Sequence, residues 1–379
     1  MTLTQTTTEL GELLEMVAKA IDIPEEMYEK AVARYKEVGE WLCAEGSELA
    51  NFEPAVYAQG STRLGTNNRP ITHADEYDFD GVIRLAFKKE NVTQHDLKHR
   101  VGDRLKAHRT YRVIIKEGRR CWTLVFDDTF HMDFLPAIPN EKRKPNGILI
   151  TDKELRKWQF SNPVEYANWF KLRMVIDYPE LRKSIEFKLN SSVENVPSWR
   201  IKTPLQRSVQ LLKRHRDIYF QNGPKNKPIS IIITTLAARA YRGENNVLDA
   251  LTQIVSNLRR YVELEDGKYK ISNPVEPEEN FADKWLDHPE RQRNFFDWLG
   301  QLEKDFADLL ETEGLHNVEE RLTHMFGKIS AQQAVKSFGQ KLADQRQQGS
   351  LRMATATRTL GATGTAIKSH DFHGESKTK

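Results

Sequence analysis

Between Pro54 and Pro139, apolar and polar residues alternate in short runs rich in β-branched and aromatic side chains: AVYAQG, YDFDGVIRLAF, YRVIIKE, CWTLVFDD and FHMDFLPAI. Runs of this kind, bounded by Gly, Asn, Asp and Pro, predict strands. On either side the period lengthens. Leu10, Leu13, Leu14, Val17 and Ala20, then Tyr28, Ala31 and Tyr35, recur at three and four residues and predict two helices broken near Pro24. DLKHRVGDRLKAH is helical in composition. From about Thr203, PLQRSVQLLKRHRDIYF, VLDALTQIVSNLRRYVEL and RNFFDWLGQLEKDFADLLET predict a mainly helical second half. The pattern therefore predicts an α+β chain of two lobes. Residues 1–200 would hold the N-terminal helices and a lobe built on a mixed sheet, residues 201–352 a helical lobe, and residues 353–379 a mobile tail rich in Thr, Ala, Gly and Lys. EKRKPNGILI and VENVPSWRIKTP lie near the join with no long low-complexity linker, so the lobes are expected to pack together. No repeat of solenoid length is evident.

Composition narrows the class. The 379 residues are 39% hydrophobic and 29% charged, with a mean hydropathy of -0.65. No apolar run approaches the roughly 20 residues that span a bilayer. The start, MTLTQTTTELGELLEM, lacks a basic region followed by an apolar core, so a cytoplasmic location and no membrane partner are expected. Two cysteines, Cys43 and Cys121, exclude a four-cysteine zinc site and predict reduced thiols. The net charge of +3 makes no demand for nucleic acid, but Lys98 to Arg120 carries nine Lys or Arg against Asp103 and Glu117. That stretch predicts a local basic surface suited to phosphates, or equally a solvated helix face.

The candidate chemistry sits in YDFDGVI. Asp78 and Asp80 are two apart in a strand, so both carboxylates emerge on one face while Tyr77, Phe79 and Gly81 take the other. Paired anions repel unless a cation neutralises them, and Mg²⁺ commonly takes one or two carboxylates plus substrate phosphates. An Asp-x-Asp on an exposed strand is by itself the commoner, inert arrangement. Three features favour a site: Asp133 in FHMDFLPAI as a third acid, the Gly60-Ser61 turn after a predicted strand, whose N–H groups and hydroxyl suit a phosphate, and the basic stretch in the same lobe.

Together, GSTRLGTNNRPITHADEYDFDGV and the later Asp133 resemble the DNA polymerase β-like nucleotidyltransferase superfamily, and within it the cGAS/DncV-like nucleotidyltransferases of bacteria. SVQLLKRHRDIYF and KPISIIITTLAARAY resemble that family's helices that bring a lysine and a serine to the triphosphate, which map to Lys213 and Ser230. The likeness runs on through NPVEPEENFADKW. From the residues alone, Gln206, Gln210, Lys213 and Asp217 form one stripe of a helix, which a wet face would also explain, and ISIIITT reads equally as a buried strand. The resemblance favours a helix beginning near Ser230. One departure is Leu64, standing where some relatives place a base-stacking aromatic. Another is that two cysteines leave no zinc ribbon, so DNA activation is not implied.

The resemblance implies a two-lobed polymerase β-like fold and a synthase that joins nucleoside triphosphates, ATP among them, into a cyclic oligonucleotide second messenger. Asp78, Asp80 and Asp133 would hold two Mg²⁺ ions, or Mn²⁺. Gln59, Gly60, Ser61, Lys213 and Ser230 would hold nucleotide. It also implies antiphage signalling through a downstream effector that binds the product, and a C-terminus open to ubiquitin-like conjugation machinery. Two alternatives share the residues: a template-independent nucleotidyltransferase acting on RNA ends, and a non-catalytic nucleotide-binding module. Base choice, linkage and ring size are not legible.

Overall fold

The computed structural model describes residues 3–72, 76–126, 130–154, 157–174, 192–197, 199–353, 360–361 and 364–366. Helices α1 (Leu3–Ala20) and α2 (Glu25–Cys43) flank the break at Pro24. Seven strands then form one sheet: β1 (Ala55–Ala58), β2 (Tyr77–Arg84), β3 (Ile115–Glu117), β4 (Trp122–Phe126), β5 (Phe130–Pro139), β6 (Ile148–Ile150) and β7 (Gln159–Ser161). Their order is β1-β2-β5-β4-β3, with β6 pairing the far end of β5 and β7 pairing β6. The β2–β5 pair is parallel and the other pairs of this sheet are antiparallel. The sheet is mixed, as expected.

One expected strand changes type. YRVIIKE opens as a helical turn, α5 (Tyr111–Ile114), and only Ile115–Glu117 joins the sheet. The buried Tyr111 ring stacks on His108 at 3.9 Å, and Arg112 N–H donates to His108 O, so local bonds hold the turn before the ladder can start.

One face of the sheet is covered by α2 and α4 (Gln94–Lys106), whose Tyr35, Val38, Leu97, Val101 and Leu105 pack on Phe79, Ile83, Trp122 and Phe134. A second apolar core unites α6 (Pro163–Met174), α7 (Pro204–Tyr219), α8 (Ser230–Ala240), α9 (Val247–Val255), α10 (Pro289–Glu311), α11 (Leu315–Phe326) and α12 (Lys328–Gln347) around residues such as Val209, Leu212, Ile233, Leu251 and Trp298. Helix α1 joins this core through Leu13, Leu14 and Val17 and packs on α7, α9 and α12, although the sequence groups it with the sheet lobe. Its apolar residues face helices because its stripe has helical period.

ISIIITT is helical from Ser230 onward, and a short ladder follows later in the chain, β8 (Ser272–Asn273) with β9 (Glu276–Asn280). In the expected tail, Arg352–Met353 pairs with Leu360–Gly361 and Thr365–Ala366, so part of that segment is ordered into a ladder. The rest of the tail, to which the conjugation expectation refers, lies outside the described residues. Among the described residues, no helix is long and apolar enough to cross a membrane.

Candidate active site

The parallel pairing of β2 with β5 sets Asp80 directly opposite Asp133 and Phe79 opposite Met132. Alternation sends Phe79 and Met132 into the core and leaves the carboxylates on the other face. Carboxylate oxygens of Asp78, Asp80 and Asp133 all come within 4.8 Å of one another. Asp133 Oδ1 accepts a 2.5 Å hydrogen bond from Thr123 Oγ1, its cross-strand partner on β4. This fixes one oxygen of the carboxylate.

Electrostatics match that crowding. Burial, then the charges of Asp78 and Asp133, raise the Asp80 pKa well above the ordinary range, with Lys213 opposing. Burial and Asp133 also raise Asp78, opposed by Lys213 and His131. Each anion is disfavoured by the others, and a bound divalent cation inverts that balance. An all-oxygen donor set of this kind suits a hard cation such as Mg²⁺.

The Gly-Ser turn is built around the same acids. Gln59 N–H donates to Asp80 O at 3.0 Å, and Gly60 then turns into the one-turn helix α3 (Gly60–Leu64) with φ +57°. Arg63 anchors α3 from below: its guanidinium donates to Ala58 O at 3.1 Å and to Glu194 at 2.6 Å, both side chains buried. Asn67 Nδ2 donates to Ser61 Oγ at 3.0 Å and Asp78 O at 3.4 Å, tying turn to strand.

The stripe on α7 is not wet. Gln206, Gln210 and Lys213 are buried, and they address successive carbonyls of the segment after α3. Gln206 Nε2 donates to Leu64 O at 2.8 Å, Lys213 Nζ to Thr66 O at 2.9 Å, and Gln210 Nε2 to Asn67 O at 2.7 Å. Asn68 Nδ2 returns a bond to Gln210 O at 2.9 Å. Gly65, at φ +69°, admits this approach, since a Cβ there would sit 2.5 Å from Gln206 Nε2. Burial, then neighbouring Arg216, lowers the Lys213 pKa to about 8, against the pull of Asp217, Asp78 and Asp80. Lys213 thus lies within the field of the acids. Ser230 enters at the first residue of α8, where its Oγ accepts from Arg216 Nη1 at 2.9 Å.

A cleft of about 840 Å³ runs between sheet and helices. Gln59, Gly60, Asp80 and Asp133 line one wall, and Lys227, Asn273, Glu279 and Arg291 lie among the opposite residues. Asp78, Ser61, Lys213 and Ser230 stand outside this lining; Asn67 ties Ser61 to Asp78, and Arg216 ties Ser230 to Pro228, which lines the cleft.

The basic stretch contributes less than its charge suggests. Lys98 is buried and bonded to Gly118 O and Arg119 O, and Arg104 lies over Trp41 and donates to its carbonyl. Arg119 and Arg120 share the buried carboxylate of Asp152, and only Arg120 of this stretch, together with Cys121, lines the cleft. Burial pushes the thiols of Cys43 and Cys121 up to about 11 and about 12, so neither is a nucleophile at neutral pH. Thr123, Asn67 and Arg216 escape sequence reading. Thr123 needs the β4–β5 register to be seen, and Arg216 is one more cation in KRHR.

The family model for the Second Messenger Oligonucleotide or Dinucleotide Synthetase domain matches residues 10–173. A c-di-GMP synthase of Roseivirga ehrenbergii is 30% identical over 92% of both chains. The cyclic dinucleotide synthase CdnG of Bradyrhizobium diazoefficiens is 24% identical over 97% of this chain and 95% of its own. The solved structure of Bradyrhizobium diazoefficiens CD-NTase CdnG in complex with GTP superposes with a TM-score of 0.68 at 23% identity, covering 87% of this chain and 99% of that one. Escherichia coli DncV in its 3'-deoxy GTP bound form gives a TM-score of 0.53 at 16% identity over 86% of this chain and 88% of its own. The last two likenesses show the polymerase β-like fold.

Proposed function

We propose a specific reaction from the premise that the chain belongs to the cGAS/DncV-like nucleotidyltransferases. It is an enzyme of that family, a nucleotidyltransferase that makes cyclic oligonucleotides. Its product, on our reading, is a cyclic dinucleotide made from GTP. The support is the whole-length likeness to a c-di-GMP synthase and to CdnG, the latter solved with GTP. The same relatives favour ring closure over the RNA-end and non-catalytic alternatives, and an antiphage role follows from the family alone.

The single observation that carries the mechanism is the three-carboxylate cluster opposite the Gly60–Ser61 turn. Asp78, Asp80 and Asp133 would hold Mg²⁺, which when bound supplies charge for the triphosphate and acidifies the attacking ribose hydroxyl. Asp133, held at one oxygen by Thr123, would accept the hydroxyl proton. Gly60 and Ser61 bring backbone N–H groups and a hydroxyl to the phosphates. Lys213 and Ser230 hold the triphosphate from the helical side. Phosphoryl transfer depends chiefly on such placement and charge stabilisation. The cleft lets a linear intermediate turn so that its own triphosphate becomes the second donor.

The test is mass spectrometry of products formed from all four ribonucleoside triphosphates with Mg²⁺. The expected product has the mass of cyclic di-GMP, resists phosphatase and disappears in Asp78→Asn and Asp80→Asn. A cyclic product of other bases would overturn the guanine assignment, and full retention in Asp80→Asn would overturn the metal site.

A further inference from the structure

We propose that Arg216 is a positioning residue for the triphosphate site, holding the Ser230 hydroxyl so that its proton is free for a phosphate oxygen. This rests on the reading of Ser230 as a nucleotide-binding residue. A serine hydroxyl has one proton and two acceptor positions, whereas a guanidinium only donates and stays charged. The direction of the 2.9 Å bond from Arg216 Nη1 to Ser230 Oγ is therefore fixed, and Ser230 must send its proton elsewhere. Among the described residues no acceptor takes it.

The guanidinium itself has little freedom. Arg216 is 4% exposed. Nη1 also donates to Pro228 O at 3.0 Å, while Nε and Nη2 donate to Asp217 Oδ1 at 3.0 and 2.9 Å. Asp217 is held in turn by Lys227 Nζ at 2.7 Å. The planar fork thus joins α7, one turn beyond Lys213, to the Pro228–Ser230 entry of α8. A lysine has one ammonium on a flexible stem and does not reproduce a fork spanning Pro228, Ser230 and Asp217.

The experiment is a double-mutant cycle on the full chain, measuring pyrophosphate release from GTP with Mg²⁺ for wild type, Arg216→Met, Ser230→Ala and the double variant. Each single change is expected to raise KM for GTP roughly tenfold with a smaller effect on kcat, and the double to stay close to the worse single variant. Arg216→Lys is expected to keep the fold, checked by thermal melting, yet show most of the KM defect. The idea is overturned if the two KM effects multiply, or if Arg216→Met lowers only melting temperature and kcat. Should Arg216→Met fail to fold, Arg216→Lys with and without Ser230→Ala completes the same cycle. If wild type makes no cyclic product from any nucleoside triphosphate, the functional reading fails by itself, and the cycle run on GTP affinity by calorimetry still decides Arg216.

Discussion

Asp80 Oδ2 lies 2.6 Å from the point that a Cβ on Gly60 would occupy. The turn and the acid were built to touch, and the contact requires a residue without a side chain at φ +57°. Gly60→Ala meets two penalties, a left-handed backbone costing about 1–2 kcal/mol and a clash with a carboxylate oxygen. The variant is expected to melt a few degrees lower and to lose pyrophosphate release by at least about 100-fold, because Asp80 must leave the cluster. Thermal melting and initial rates check both. Activity near wild type would show that the turn does not shape the site.

Asp78 and Asp80 were legible as a pair because strand alternation has period two and puts both on one face. Asp133 could be read as a further acid on a strand, but its place beside them needs the β2–β5 register. Lys213 was legible only through resemblance. Its stripe with Gln206 and Gln210 has the polarity of a solvated helix face, and the carbonyls of Leu64, Thr66 and Asn67 that bury it come from some 140 residues earlier. Sequence pattern reports polarity, not the partner that satisfies it. The same limit explains Lys98 to Arg120. Charge counting predicts a basic surface, whereas Lys98, Arg104 and Arg119 are spent on carbonyls, an indole ring and Asp152.

The cluster makes the metal-free protein sensitive to pH. The Asp80 pKa is raised in the folded chain, so that chain binds the extra proton between the unfolded and folded values. Stability is full at acid pH below the ordinary carboxylate range and is lost as pH rises through the raised value. In EDTA, wild type is therefore expected to lose more melting temperature than Asp80→Asn as pH rises out of the ordinary carboxylate range. Adding Mg²⁺ at pH 7.5 should stabilise wild type and leave Asp80→Asn nearly unchanged. Equal pH responses would mean that neither burial nor the neighbouring acids hold the Asp80 pKa up in the folded chain.

Lys213 titrates in the opposite sense. Its pKa is lowered to about 8, so the empty enzyme loses this positive charge as pH rises through that value. A bound triphosphate restores the charge, which confines the effect to kcat/KM, the parameter that reports the free enzyme. Lys213→Arg keeps its charge at alkaline pH. The ratio of wild-type to Lys213→Arg kcat/KM for GTP is expected to fall roughly tenfold per pH unit above about 8, while the kcat ratio stays flat. Taking the ratio removes the shared pH dependence of hydroxyl ionisation. A flat kcat/KM ratio would remove Lys213 from the triphosphate site.

Gln206 gives the sharpest test of how α7 holds the turn. Its amide nitrogen serves Leu64 O while its oxygen accepts from Thr203 N at 2.9 Å, closing the capping box of α7. Gln206→Leu removes both bonds and leaves a buried carbonyl unpaired, which costs about 1–3 kcal/mol for that group alone. Gln206→Glu keeps the acceptor for the cap but sets a buried carboxylate oxygen against Leu64 O, so the donor is lost and repulsion and desolvation are added. Both variants are expected to destabilise the chain and to speed hydrogen exchange through residues 61–68. If Gln206→Glu raises exchange there and KM for GTP while the start of α7 stays protected, the clamp and the cap are separable. If the two regions loosen together, α7 acts as one unit with its cap and the clamp has no role of its own.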